Sequence, residues 1–198
     1  AIALYRQILA RQPDLHYPRF DLAMMLFEDK QYQAAKTELE LAQPHLALPL
    51  QRLVDQILAN MQKAQRWQPS LNLSYESTDN VNQASDLKEI RLGNATFVRS
   101  GDSLPQSAHG IDYTLGASRE LNLSGNHYLY SNFEVDGVDY WDNHDYSEIT
   151  ARANLGYRYK DIHQSWGVIP LFEQNWLGGD RYNQNYGATL EYNRQLNQ

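Results

Sequence analysis

The residue types that could carry chemistry are concentrated in one acidic stretch of the chain. It contains four aspartates and a histidine: Asp136, Asp139, Asp142, His144 and Asp145. A solvated loop explains this cluster; a weak cation site is the alternative, but no spacing typical of a metal-binding loop accompanies it. The other histidines are isolated, and no His-x-x-x-His or Gly-x-Ser-x-Gly arrangement is present. We therefore expect no enzymatic activity, no metal and no cofactor.

A second polar stretch, Asp79-Asn-Val-Asn82, could contact a ligand through its side-chain amides. Asn and Asp side chains also bond their own backbone and stabilise turns, and this is the interpretation we favour. A substrate contact is the alternative; calcium binding is disfavoured because the Gly and the terminal Glu of such a loop are missing. Candidate loop contacts are Asn80, Asn82, Tyr140 and Trp141.

The composition argues against nucleic acid as a partner. The chain of 198 residues carries 17 Lys and Arg against 24 Asp and Glu, a net charge of −7. Because the basic residues are scattered, no patch for nucleic acid is predicted. The chain has no Cys, which excludes disulfides and thiolate metal sites and is compatible with an exported protein.

The first third of the chain shows the period of a helical repeat. Small or apolar residues recur 34 positions apart, the tetratricopeptide period, as Ala1, Tyr5 and Ile8 and again as Ala35, Leu39 and Ala42. Residues 22–42 resemble one complete repeat, with Lys30 in place of the usual Gly. An amphipathic helix opened by Pro49 follows and is expected to cap the solenoid.

One predicted helix, from about Pro18 to Asp29, carries more apolar surface than a helix pair needs. Leu22, Ala23 and Leu26 form the stripe that faces the core. A second stripe, here called the aromatic stripe, consists of Tyr17, Phe20, Met24 and Phe27 at i, i+3, i+4 spacing. It either packs on neighbouring repeats or, by resemblance to tetratricopeptide grooves, holds an extended peptide.

The rest of the chain alternates at the period of a strand. In residues 145–160, apolar residues such as Ile149 and Leu155 alternate with polar residues such as Arg152 and Arg158. About seven segments carry such signals: 69–77, 88–98, 111–118, 126–138, 145–160, 165–177 and 186–193. Aromatic residues gather near the predicted strand ends, and we expect them to form one outer set at the interfaces of a membrane: Tyr128, Tyr130, Trp141, Tyr146, Tyr157, Tyr159, Trp166, Trp176 and Tyr182.

Strand length favours a transmembrane barrel over a soluble sandwich. Several segments reach ten residues or more, as an outer-membrane strand requires, whereas sandwich strands usually have about five or six. The polar alternate face suits a watery lumen and would be costly in a dry core. An odd strand count contradicts the even bacterial pattern, so we expect further strands outside this chain.

Residue distribution divides the chain near residue 67. Every Gly lies at or after Gly93, and every Trp at or after Trp67. We predict an α + β multidomain fold, with an N-terminal α-helical tetratricopeptide solenoid and capping helix in residues 1–66. Residues 67–198 are predicted to form part of an antiparallel transmembrane β-barrel, incomplete in this chain.

The chain joins a helical repeat to a predicted barrel, and four of its short sequence motifs resemble those of the surface lipoprotein assembly modulator (Slam) family. They are Trp67-Gln-Pro-Ser-Leu71, Asp79-Asn-Val-Asn82, Pro105-Gln-Ser-Ala-His-Gly110 and Tyr140-Trp-Asp-Asn-His-Asp-Tyr146. The resemblance implies an outer-membrane protein of a Gram-negative bacterium, with periplasmic repeats and a barrel of about fourteen strands. Such a protein helps deliver lipoproteins or related soluble proteins across the outer membrane to the cell surface.

The implied partners are a surface-exposed lipoprotein or secreted client, a periplasmic chaperone and outer-membrane lipid, with no nucleic acid. The aromatic stripe is the candidate client or chaperone contact. A polysaccharide exporter with periplasmic repeats and a passive pore are the alternatives. Seven crossings would place the loops at 100–109 and 138–145 in the periplasm, whereas long loops normally lie outside, so one strand assignment conflicts with the rest.

Overall fold

The helical half comes first in the computed structural model, which describes residues 1–195. Its helices are α1 (Ile2–Arg11), α2 (His16–Glu28), α3 (Tyr32–Ala42) and α4 (Leu48–Ala64). The predicted core stripe is confirmed, since Leu22, Ala23 and Leu26 of α2 are buried against Ala35 and Leu39 of α3. Val54, Ile57 and Met61 bury one face of α4, whose first turn contains Pro49.

The turn between α2 and α3 has an unusual backbone. Lys30 adopts a φ of +65°, and Gln31 donates its N–H to Leu26 O at 2.8 Å to close the helix end. This left-handed conformation explains why the repeat usually has Gly here, because a side chain costs roughly 1–2 kcal/mol in it.

No helix in residues 1–195 combines the length and the apolarity that crossing a membrane requires.

The strand half contains one large antiparallel sheet and one small hairpin. The strands are β1 (Gln68–Thr78), β2 (Glu89–Leu92), β3 (Ala95–Val98), β4 (Ala108–Ser124), β5 (His127–Tyr140), β6 (Glu148–Lys160), β7 (Gln164–Leu177) and β8 (Asp180–Arg194). The large sheet has the order β1-β4-β5-β6-β7-β8, and β1 and β8 are its edges in the described part of the chain. The predicted order of helices followed by an open antiparallel sheet is confirmed.

The prediction of a seventh sheet strand at 88–98 was wrong. This segment forms β2 and β3, which pair only with each other and are joined through Gly93, whose φ of +62° suits the turn. Without that crossing, both long connections, 79–107 and 141–147, lie at one end of the sheet, here called the loop end. Two short connections, 125–126 and 161–163, lie at the other end, here called the helix end, and a third, 178–179, joins β7 to β8 at the loop end.

The strands of the large sheet are staggered as barrel strands are. Following paired residues outward from Gln68 at the start of β1 leads through Ser118, Asn132, Asn154 and Leu171 to Gly187. Gly187 lies seven residues before Arg194, where β8 ends. We take the start of β1 and the end of β8 to lie at the same height along the barrel axis. The register then shifts by seven residues, at about 3.3 Å each, across five inter-strand spacings of about 4.8 Å. This shift corresponds to a strand tilt of roughly 44° from that axis. Tilted strands of this kind close into barrels.

The two faces of the sheet differ sharply in polarity. The register places on one face, here called the apolar face, Leu71, Leu73, Ile111, Leu115, Phe133, Val135, Ile149, Leu155, Val168, Phe172, Tyr186 and Leu190, which are all exposed. The other, here called the polar face, carries Asn72, Thr114, Glu120, Asn132, Glu134, Asp136, Arg152, Asn154, Arg158, Glu173, Asn185 and Glu191. Exposed apolar side chains on this scale indicate a nonaqueous neighbour.

Aromatic residues lie at both ends of the sheet. At the helix end they include Trp67, Tyr157, Tyr159, Trp166 and Tyr192, and at the loop end Tyr75, Trp141, Trp176 and Tyr182. The prediction that Tyr128 and Tyr130 belong to the same outer set was wrong, because the register places both on the polar face.

Candidate functional site

Two arginines of β6 organise the polar face. Arg152 donates through Nε to Glu173 at 2.7 Å on β7 and through Nη1 to Glu134 at 3.2 Å on β5. Asp136 on β5 also pairs with Nη1. One guanidinium therefore joins three strands, with its side chain about one-third exposed (34%), so water screens the pairs.

The second arginine, Arg158, reaches across two strands in each direction. It holds Glu191 of β8 with two 2.8 Å hydrogen bonds and Glu120 of β4 with one of 2.9 Å. Its guanidinium also lies 4.0 Å above the ring of Tyr130, and Lys160 adds a second cation at Glu120. Side chains two strands apart approach one another in this way on the inner face of a curled sheet.

The turn between α2 and α3 is docked on the helix end of the sheet. Asn126, in the short β4–β5 connection, donates its amide to Asp29 O at 2.5 Å and to Lys160 O at 2.6 Å. The Tyr128 hydroxyl donates to Lys30 O. The left-handed residue of the turn thus presents its carbonyl to the sheet, and a side-chain hydroxyl satisfies that carbonyl.

A second set of hydrogen bonds holds the start of α3 and the end of α4 to β4. Gln33 N donates to Asn122 Oδ1 at 2.8 Å, and Asn122 N donates to Gln65 Oε1 at 3.1 Å. Arg119 Nε donates to Gln65 O at 2.9 Å. The start of α3 and the end of α4 are therefore bonded to the same strand.

Aromatic rings fill the space between these contacts. Tyr32, the first residue of α3, stands edge-on to Tyr128 with ring centres 6.1 Å apart, and Phe27 lies 5.4 Å from Tyr32. Burial raises the pKa of the Tyr32 phenol, and the nearby Glu120 carboxylate raises that pKa further. The Tyr32 hydroxyl is therefore neutral at physiological pH, as suits a ring at an interface with an acidic neighbour.

The members of the aromatic stripe differ in burial. Phe20, Met24 and Phe27 pack partly against the core of the helical domain, whereas Tyr17 is 54% exposed. The stripe therefore begins on open surface and ends at the ring of Tyr32 beside the sheet. Its role as a client or chaperone contact stays a prediction.

The candidate loop contacts are split between two places. Asn80 closes a local turn by accepting from Ala84 N at 2.9 Å and donating to Ala84 O at 2.8 Å. Asn80 and the buried Tyr140 line one cavity of about 250 Å³ at the loop end. Trp141 lies apart from them, with its ring 6.1 Å from that of Tyr75, and is half exposed.

Asn82 connects the two ends of the long 79–107 connection. Its amide donates to Asp102 O at 3.0 Å and to Leu104 O at 2.8 Å, and its Oδ1 accepts from Gln106 N at 3.1 Å. All of these partners are backbone groups, so in this structure Asn82 holds the loop. Contact of any of these loop residues with a substrate stays untested.

The acidic stretch is engaged by the protein itself at several points. Asp142 accepts from His109 N at 2.8 Å, Asp136 pairs with Arg152, and Asp139 accepts from Ser147 Oγ at 3.3 Å. Within residues 1–195, no group of three or more His, Asp or Glu side chains is arranged to hold a metal ion.

None of the residues that bond the helical domain to the sheet was predicted to do so from the sequence. The one sequence signal near these contacts was the usual Gly position of the repeat, here Lys30, because that position indicates a left-handed turn at the end of a helix.

Comparison with known families matches both halves of the chain. The profile of the surface lipoprotein assembly modifier family matches residues 67–198, and that of the N-terminal TPR repeats of the same family matches residues 1–39. No solved structure matches.

Individual relatives agree with these profiles. A surface lipoprotein assembly modifier of Pasteurella multocida is 30% identical over 96% of this chain and 39% of its own length. Surface lipoprotein assembly modifier 1 of Haemophilus influenzae is 27% identical over 100% of this chain and 42% of its own length. The hemophilin secretion modulator of Acinetobacter baumannii is 27% identical over 95% of this chain and 42% of its own length.

The chain spans about two fifths of the length of these relatives. The profile match to the strand half covers more than half of the chain, and its start at residue 67 falls between the end of α4 and the start of β1. The family resemblance inferred from short sequence words is thus confirmed: the chain belongs to the surface lipoprotein assembly modifier family.

Proposed function

We propose that this protein is a nonenzymatic outer-membrane translocation factor that helps deliver a lipoprotein or a related secreted protein to the cell surface. Membership of the family supports a role in the assembly of proteins at the cell surface. The names of the relatives point to surface lipoproteins and hemophilin as the proteins that those relatives handle. The observation that carries the proposal is the sheet with one apolar and one polar face, with the helical domain bonded to its helix end.

This arrangement supports a definite orientation. Bacterial outer-membrane barrels have short periplasmic turns and longer extracellular loops. Both connections at the helix end, 125–126 and 161–163, are short, whereas the loop end has both long connections beside the two-residue turn 178–179, so the helix end corresponds to the periplasmic side, together with the helical domain that is bonded there. The 79–107 connection, with the β2–β3 hairpin, belongs outside the cell.

The alternative of a polysaccharide exporter is not favoured. The named relatives concern surface lipoproteins or hemophilin secretion. The polar face pairs Arg152 and Arg158 with most of its carboxylates, so the described part does not present the continuous acidic track expected for carbohydrate export.

Within this function, the aromatic stripe is proposed to contact the client or a periplasmic chaperone. Tyr17 offers an exposed ring, and the stripe runs from it through Phe20 and Met24 to Phe27 beside the sheet. A client held along this line would be led from open solvent to the helix end of the polar face. An apolar path suits an unfolded client because such a chain exposes apolar side chains whose removal from water is favourable.

Changing Tyr17 and Phe20 to Ser together is expected to lower client exposure on intact cells at least about tenfold, because two aromatic anchors of this kind commonly contribute more than 1.4 kcal/mol to binding. The measurement is protease accessibility of the client on whole cells. The matched control replaces the exposed Leu41 and Leu48, which lie outside the stripe, with Ser.

Thermal melting of the variants separates contact from packing. Lost exposure with a melting temperature close to that of the control variant supports direct contact. A large drop in melting temperature together with lost exposure identifies the stripe as solenoid core, and unchanged exposure contradicts the proposed client contact.

A further inference from the structure

A cleft of about 610 Å³ lies where the helical domain meets the first strand. Its walls come from α3, α4 and the segment that enters β1, with Leu58 and Met61 on the helical side and Trp67 on the sheet side. The Trp67 ring lies 6.0 Å from that of Phe133, a member of the apolar face. The cleft therefore borders the surface that the proposed function places in lipid.

The charge of the cleft is opposite to that of the chain. Lys36, Arg66 and Arg119 line it together with one carboxylate, Glu40, which lies 3.7 Å from Lys36. Among residues 1–195, no carboxylate pairs with Arg66 or Arg119. Two positive charges are thus uncompensated in a protein with a net charge of −7.

Arg119 is held in a fixed position within this cleft. Its Nε donates to Gln65 O at 2.9 Å, and its guanidinium carbon lies 6.0 Å from the centre of the Trp67 ring. In the described part of the chain, both Nη groups remain without a hydrogen-bond acceptor. Two parallel donors on a positioned guanidinium match the geometry of a phosphate group.

The cleft also lies at the level where a headgroup would be found. Gln68 pairs with Ser118, so Arg119 lies level with the entry of the chain into the sheet, next to Trp67. Trp and Arg are the residues that occupy the interface between hydrocarbon and water, since each combines apolar surface with a polar tip.

We propose that this cleft binds the phosphate of an anionic glycerophospholipid from the adjacent leaflet. The Nη groups of Arg119 and the side chains of Arg66 and Lys36 hold the phosphate, and the acyl chains lie along the apolar face beyond Trp67 and Phe133. The bound lipid then contacts helix and sheet together and stabilises their docked arrangement. The inference rests on the proposed placement of the sheet in a membrane.

Native mass spectrometry of the detergent-purified protein at its natural length tests this site. The protein is titrated with phosphatidylglycerol or with phosphatidylcholine of the same acyl chains, and glycerol 3-phosphate is the soluble competitor. Phosphatidylglycerol is expected to bind at least about tenfold more tightly than phosphatidylcholine, because one charged hydrogen bond contributes about a factor of ten. The double variant Arg66→Gln with Arg119→Gln is expected to lose that preference.

Two further double variants serve as comparisons. Lys36→Gln with Arg66→Gln, which keeps the Arg119–Gln65 bond, should also weaken the binding of phosphatidylglycerol. Arg6→Gln with Arg52→Gln, an equal charge change on exposed helix surface, should leave binding unchanged.

Three results overturn the site. Equal binding of the two lipids removes the anionic preference, and an equal loss in the Arg6 and Arg52 control assigns the effect to general surface charge. Displacement by glycerol 3-phosphate at the lipid concentration identifies a site for a soluble anion. The client takes no part in this measurement, so the two proposals can fail separately. A retained lipid preference with failed client delivery would contradict only the proposed function. Normal client delivery without a lipid preference would contradict only this lipid site.

Discussion

Replacing Leu155 with Arg is expected to prevent stable insertion of the barrel. Leu155 is 57% exposed near the middle of β6 on the apolar face. An Arg on the lipid-facing side near the bilayer midplane costs roughly 2–4 kcal/mol. The folded, heat-modifiable band on semi-native gels should therefore be strongly reduced, and the folding midpoint in lipid vesicles should shift to lower denaturant.

The adjacent residue provides a matched control on the opposite face. Asn154→Arg introduces the same side chain one position earlier, on the polar face beside Asn132. We expect insertion close to that of the unchanged protein, because that face meets water and other polar groups. Equal damage from both substitutions, or greater damage from Asn154→Arg, would contradict the assignment of the faces.

Loss of two hydrogen bonds between helix and sheet is expected to release the helical domain from the barrel. Tyr128→Phe removes the donor to Lys30 O while keeping the ring, and Gln65→Ala removes the acceptor of Asn122 N. Each change leaves a partner unsatisfied, and together they should cost about 3 kcal/mol, a shift in the docking equilibrium of more than about 100-fold.

Hydrogen exchange of the Gln33 amide measures this release, because its N–H donates across the interface to Asn122 Oδ1, a bond that neither substitution removes. Its exchange should quicken while strands β5 to β7 remain protected, and client exposure on cells should fall. Gln56→Ala with Tyr186→Phe, which changes the same residue types at exposed positions away from the interface, should alter neither readout. Unchanged exchange in the first variant would show that these bonds do not hold the docked arrangement.

Local sequence patterns predicted the elements whose burial follows a simple period. The alternation at 145–160 matches β6 because one face contacts polar side chains and the other is apolar, and the stripe of Leu22, Ala23 and Leu26 matches the buried side of α2. The segment 88–98 was misassigned because two four-residue strands also alternate. Gly93-Asn94 between them was the turn signal that separates a hairpin from one long strand.

The junction of helix and sheet could not be predicted in the same way. Its hydrogen bonds connect Gln33 with Asn122, Asp29 with Asn126 and Lys30 with Tyr128, pairs that are 89, 97 and 98 residues apart. Such contacts depend on how whole domains meet, which no local period encodes. The loop contacts show the same limit, since Asn80 acts within its own turn whereas Asn82 reaches residues at the far end of the connection.

Single-cysteine labelling tests the orientation that we propose for the chain across the outer membrane. The chain has no Cys of its own, so Leu92→Cys in the exposed β2–β3 hairpin and Arg52→Cys on α4 can each be introduced into the natural-length protein on a cysteine-free background. We expect a membrane-impermeant maleimide to label Leu92→Cys on intact cells and to label Arg52→Cys only after the outer membrane is permeabilised. Labelling of Arg52→Cys on intact cells, with Leu92→Cys protected, would contradict this orientation.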